Sequence, residues 1–85
     1  MDANNWLLLK LLISFLEHED PLVVMVALFD LGEFCRFFPN GRLIVKSLGG
    51  KDLALGLVQS EHAEIANHAL TCTSKIMVAN WNAVQ

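Results

Sequence analysis

The stretch Phe29–Lys51, FDLGEFCRFFPNGRLIVKSLGGK, decides the fold, because it reads either as a phosphate-binding loop or as structural punctuation. A phosphate loop needs G-x-x-x-x-G-K-[ST] after a strand. If Gly50-Lys51 supplied its G-K pair, the first glycine would have to stand where Val45 does, and Asp52 would repel phosphate from the position after the lysine. No strand precedes the segment. The architectural reading accounts for every residue. An amphipathic helix carries a notch at Gly32, Phe38 before Pro39 is steered out of the helical region, and a short helix runs to about Leu48. Gly49-Gly50 then end that helix by the left-handed route glycine permits.

Helical periodicity extends outward in both directions. In Trp6–Glu17, Leu8, Leu12 and Phe15 line one face and Leu9, Ile13 and Leu16 a second. A helix apolar around most of its circumference is sandwiched between neighbours. Asp20 suits an N-cap and Pro21 the first helical position, starting a helix to about Phe37 with Val24, Ala27/Leu28, Leu31 and Phe34/Cys35 as its buried stripe. Asp52–Val58 reads as a further helix. Ser60 caps the last, which runs to about Ala79 with Ile65, Ala69, Cys72/Thr73 and Ile76 on one face. Gly32 costs ~1 kcal/mol against alanine in a helix interior, so a close helix–helix crossing is expected there, with a bend as the alternative. The fold class is all-α.

The pattern repeats. At an offset of about 42 residues Leu11 matches Leu53, Phe15 matches Leu57, Val23 matches Ile65, Ala27-Leu28 matches Ala69-Leu70 and Phe34 matches Ile76, a period within the range of HEAT and armadillo units. About two such units are present, and each must stack on a neighbour to bury its apolar face.

Composition agrees. In 85 residues, 54% are hydrophobic and 18% charged, against ~25% charged in a typical domain. So small a globule covers that much apolar surface poorly, which implies a partner or neighbouring segments of a longer chain. A net charge of −3 argues against a nucleic-acid footprint. Apolar runs broken by Lys10, Glu17–Asp20 and Asp30 fall short of the ~18 residues of a membrane span. The start MDANNWLLLK lacks a basic n-region. Cys35 and Cys72 read as buried free thiols, and with no Asn-x-Ser/Thr site the expected placement is cytoplasmic.

Chemistry is sparse. Asp30 and Glu33 share a helix side, with Arg36 three residues beyond Glu33 as an ion-pair partner; this reads as a solvated or salt-bridged face. His62 and His68 fall on different helix faces, His18 lies in a turn, and neither cysteine has a CxxC partner. No catalytic, cofactor or metal-binding set is expected. Arg36, Arg42, Lys46 and Lys51 gather around Pro39, with Arg42 and Lys46 at i, i+4; they read either as an ordinary solvated face or as a candidate patch for an acidic protein partner.

One ordered set of residues carries a family resemblance: Asp20-Pro21, Ala27, Asp30-Leu31-Gly32-Glu33-Phe34, Arg36, Pro39, Gly41-Arg42, Leu48-Gly49-Gly50-Lys51, Ala69-Leu70, Lys75, Met77-Val78 and Asn80-Trp81. It resembles the C-terminal domain of the H subunit of the vacuolar-type proton-pumping ATPase (V-ATPase), from about Leu8 to Trp81. Ser74 departs from the family's usual glutamine. The resemblance implies a HEAT/armadillo-like fragment, residues 1–85, of a longer subunit. It implies a non-catalytic regulator that couples ATP hydrolysis to proton transport and restrains hydrolysis when the pump's two sectors separate. Its partners would be other pump subunits, at the cytosolic face of vacuolar or endosomal membranes. A generic armadillo/HEAT peptide-binding adaptor is the alternative. Self-association through the Trp6–Leu16 helix is a further expectation, since that helix would be partly uncovered.

Overall fold

A computed structural model describes residues 3–38 and 40–77, with side chains from Leu7 onward. Its elements are α1 (Ala3–Phe15), α2 (Pro21–Phe37), α3 (Gly41–Ser47), α4 (Gly50–Leu57) and α5 (Ala63–Met77), with no strand among the described residues. The body is flat, 32 × 32 × 17 Å. The helical hairpins α1–α2 and α4–α5 stack side by side, with α3 bridging them, in the packing of a small α–α repeat domain. α2 is the hub, packed against α5, α1 and α3.

Each helix end has a local cause. α1 starts at Ala3, upstream of the expected Trp6, and stops at Phe15. Leu16, Glu17 and His18 donate their N–H groups to the carbonyls of Ile13, Ser14 and Phe15, the i to i−3 pattern that tightens a last turn. The Asp20 carboxylate accepts from the Leu22 N–H at 2.9 Å and Pro21 opens α2, as the sequence predicts. Phe38 leaves the helix at φ −125°, ψ 89°. Pro39 and Val78–Ala79, the expected end of the last helix, lie outside the described residues.

Two expectations at helix ends need correction. Only Gly49 is left-handed, at φ 86°. Gly50 is already the first residue of α4, and it is small for a packing reason: an added Cβ would lie 2.7 Å from Val45 Cγ1 and 3.2 Å from Ile13 Cδ1. α4 thus begins two residues before the expected Asp52, wedged between α1 and α3. Ser60 does not cap α5 directly. Its hydroxyl accepts from the His62 N–H at 3.1 Å, while the first helical bond runs from the Ala66 N–H to the His62 carbonyl.

The core confirms the expected stripes and sharpens the repeat. Leu9, Ile13 and Leu16 of the first hairpin are buried, and Leu7, Leu8 and Leu11 are exposed, so α1 is sealed on one side only. In α2 the buried set is Val24, Ala27, Leu28, Leu31, Gly32 and Cys35; in α5 it is Ile65, Ala69, Cys72, Thr73 and Ile76. These sets superimpose at an offset of 41 residues (Val24 to Ile65, Leu28 to Ala69, Leu31 to Cys72, Gly32 to Thr73, Cys35 to Ile76). The first helices follow the same offset, Leu9 to Gly50 and Ile13 to Ala54. Sequence similarity alone places the register one residue later, because exposed leucines such as Leu11 and Leu70 match as well as buried ones do.

The hairpins approach each other closely at Gly32. A Cβ there would stand 3.5 Å from Cys72 Cα and 3.2 Å from Lys75 Cδ. The notch is therefore a crossing, as expected, and the rival bend is not needed. Around it Leu28, Leu31, Cys35, Ala69, Cys72 and Ile76 are nearly inaccessible; burial of each large apolar side chain contributes about 1.5–3 kcal/mol.

Substitution at the notch should separate close approach from mere flexibility. Gly32→Ala is expected to stay within about 1 kcal/mol of the parent, since the nearest atom is in a pliable lysine stem and alanine favours helix. Gly32→Leu is expected to lose ~1–3 kcal/mol in urea denaturation by overpacking against the α5 backbone.

Candidate functional site

Around α2 lie the groups able to meet another molecule. Glu33 sits at the crossing, and its principal partner is one the sequence did not reveal. The Lys75 ammonium donates to Glu33 Oε1 at 3.0 Å, whereas Arg36, the expected partner, approaches Oε2 only to 3.9 Å. The Lys75 side chain is 13% exposed and Glu33 24%, against 48% for Arg36. The Lys75 pair is the stronger contact, since its geometry is tighter and water screens it less. The missing Cβ of Gly32 lets the Lys75 stem lie flat against α2 on the way to Glu33, and the ammonium rests 5.9 Å from the Phe29 ring centroid. Lys75 lies 42 residues beyond Glu33, one position past its structural equivalent Ser74, so the contact depends on the crossing and not on the repeat register.

The four basic residues do not converge equally. Arg42 and Lys46 share one side of α3, both near enough to the Cys35 thiol to favour its thiolate. Arg36 turns the other way, toward Glu33, with its guanidinium 5.6 Å from the Phe37 ring centroid. Lys51 lies half-buried in the first turn of α4.

Asp30 and Glu33 are not alike. Glu33 is neutralised by Lys75 and Arg36. Asp30 has no ion pair or hydrogen bond among the described residues, and it lies in a trough between α1 and α2. One half of the trough, about 410 Å³, is lined by Leu12, Phe15, Leu22, Val23 and Val26 with His18 at its end. The other, about 300 Å³, is lined by Leu8, Leu12, Glu33, Phe34, Phe37 and Phe38. Leu12 and Asp30 belong to both, so the depression is continuous with Asp30 near its middle. A further depression of about 360 Å³ between α2 and α5 is walled by Leu22, Met25, Val26, Phe29, Glu64 and His68, and shares Leu22 and Val26 with the first half of the trough.

Cys35 and Cys72 are buried free thiols, as read from the sequence. Burial pushes the Cys35 thiol up to about 11, with Arg42 and Lys46 opposing. Burial, then the neighbouring Cys35, pushes Cys72 up to about 12, with Lys75 opposing. No group of three or more His, Cys, Asp or Glu side chains placed to hold a metal ion occurs among the described residues. No helix of the described residues is long and apolar enough to cross a membrane.

This helical frame has relatives of known identity. The family model for the V-ATPase H subunit matches residues 1–81. The chain belongs to the V-ATPase H subunit family. It is 43% identical over 82 residues to the probable V-type proton ATPase H subunit 1 of Caenorhabditis elegans, covering 95% of this chain and 18% of that protein. It is 34% identical over 82 residues to the V-type proton ATPase H subunit of Drosophila melanogaster, with the same two coverages. A third relative, the probable V-type proton ATPase H subunit 2 of Caenorhabditis elegans, is 40% identical over 73 residues, covering 85% of this chain and 16% of that protein. The chain therefore spans less than a fifth of the length of these relatives.

Both thiols titrate higher in the folded chain than in the unfolded one. Their contribution is intact below pH 9, where both states keep the protons, and is lost as pH rises toward 11–12, because the unfolded chain ionises first. Melting temperature is expected to fall above pH 9, and the fall should be shallower in Cys35→Ala/Cys72→Ala than in the parent over pH 9–10.5. Parallel curves would contradict the buried, protonated state.

Proposed function

We propose that this chain is the C-terminal helical-repeat part of a V-ATPase H subunit, a non-catalytic regulator that works by surface contact. The observation that carries this reading is the family match over residues 1–81. On this reading the segment couples ATP hydrolysis in the soluble sector to proton transport and restrains hydrolysis when that sector detaches. It sits peripherally at the cytosolic face of vacuolar or endosomal membranes, and its partners are other pump subunits. Two repeats locked through a packed crossing and a shielded ion pair resist relative movement, which suits a part that holds one partner against another.

Arg36, Arg42, Lys46 and Lys51 are proposed as the partner contact. They are close in sequence within a chain of net charge −3, and a local positive field of this kind orients an acidic partner, although Arg36 is turned toward Glu33. Arg42 and Lys46, on one side of α3, are its centre.

The α1–α2 trough favours a second reading, an armadillo/HEAT-type adaptor that binds a peptide segment. Adding the purified chain to detached soluble sector and measuring ATP hydrolysis distinguishes the two. The regulatory reading expects the rate to fall with saturating chain, and expects Arg42→Glu/Lys46→Glu to weaken the effect at least tenfold. A rate unaffected by the parent chain at saturation, with pump subunits absent from material it captures, overturns that reading and leaves the adaptor.

A further inference from the structure

α5 meets α2 through a single stripe. Glu64 and His68 wall the depression opposite Met25 and Phe29, a Cβ at Gly32 would stand 3.5 Å from Cys72 Cα, and Lys75 donates to Glu33. Glu64, His68, Cys72 and Lys75 stand at i, i+4, i+8 and i+11, one face of a helix. Moved back by the 41-residue offset of the buried sets, these positions become Val23, Ala27, Leu31 and Phe34 of α2. Val23, Ala27 and Phe34 line the α1–α2 trough. α2 therefore turns toward the trough the same face by which α5 is stacked on α2.

The two carboxylates bordering the trough suit that arrangement. Asp30 corresponds to Thr71, which stays exposed although α5 is stacked, so a stacked α2 keeps the Asp30 carboxylate in water at its edge. Glu33 corresponds to the half-buried Ser74 and already holds Lys75 and Arg36. Neither charge is covered without a partner, the case that would be costly. The stripe itself is apolar: valine, alanine, leucine and phenylalanine stand where α5 has glutamate, histidine, cysteine and lysine. In a repeat protein such a face is buried by the adjoining unit. A second copy of the chain fits less well. It would have to offer the far side of α5, where the equivalent of Gly32 is Thr73, a side chain in place of the notch and already buried in its own chain.

We propose that the α1–α2 trough is the seat of another helical hairpin of the same longer polypeptide, one that precedes α1 and whose second helix runs along Val23, Ala27, Leu31 and Phe34 as α2 runs along the stripe of α5. The inference rests on the reading of this chain as part of a longer subunit. The relatives, of which the chain spans less than a fifth, have the length to supply such a hairpin. With the trough filled from within the subunit, it offers no groove to a peptide of another protein, and the adaptor reading loses its binding site. Asp30 stays accessible at the rim of the joint.

The test compares the 85-residue chain with the full-length native polypeptide that carries it. Val23→Cys, Phe34→Cys and Asp30→Cys are made singly in each, with helicity checked by circular dichroism, and alkylation of each new thiol by N-ethylmaleimide is timed by mass spectrometry. Val23→Cys and Phe34→Cys are expected to react at least tenfold more slowly in the full-length monomer than in the 85-residue chain, while Asp30→Cys reacts at a similar rate in both. A benzophenone maleimide attached at Asp30→Cys, a position that needs no burial, should insert on illumination into residues that precede α1. Equal rates at Val23→Cys and Phe34→Cys in the two chains would overturn this inference alone, as would insertion into residues beyond α5 or into a second copy. A native polypeptide that immunoblotting sizes at only 85 residues would overturn the longer-subunit reading as well.

Discussion

Everything in this fold depends on the approach of α2 to α5 at Gly32. Without a Cβ at that position, the Cys72 backbone comes up against α2, and the Lys75 stem crosses the notch to reach Glu33. The small residue at the notch thus leaves room for the Lys75 stem on its path to Glu33. The apolar side chains around the crossing supply most of the stabilisation. The ion pair adds direction, because a partly shielded carboxylate tolerates only the stacking that keeps its cation.

The crossing also explains why an apolar sequence makes an ordered but incompletely covered body. Repeats bury one another's faces in turn, and the first hairpin has one neighbour to do so. α5 covers the Gly32 side of α2. The side carrying Val26, Asp30 and Phe37 forms the trough with α1 and meets nothing further among the described residues. Two carboxylates one helical turn apart border the trough, and they differ in partners: Glu33 is reached by Lys75 of the second repeat, while Asp30 has no ion pair among the described residues.

Most of this architecture was legible in the sequence because it rests on local signals. Asp20-Pro21 marked the start of α2, Gly49 the end of α3, and the 3.6-residue spacing of Val24, Leu28, Leu31 and Cys35 the buried stripe. What escaped was tertiary. Gly50 looked like part of a turn, yet its size is dictated by packing against Val45 and the distant Ile13. Arg36 looked like the partner of Glu33 because it is three residues away, and Lys75 won because the crossing delivers it at shorter range in a drier place. The trough was invisible for a related reason. Its walls come from two helices whose exposed and buried leucines read alike until the neighbours are known. The basic cluster was legible as composition, but which side each cation takes depends on Glu33 and Cys35.

The central claim, that the two repeats are locked by close contact at Gly32, predicts a covalent bond where none now exists. A Cβ at position 32 would lie 3.9 Å from Cys72 Cβ, inside the ~3.5–4.5 Å range in which a disulfide closes without strain. With Cys35→Ala removing the competing thiol, Gly32→Cys should form a bond to Cys72 under mild oxidation, read as a mass loss of about two hydrogens with no free thiol remaining. A chain that keeps both thiols free after oxidation, while still folded by circular dichroism, would contradict the crossing and the stacked-repeat account built on it.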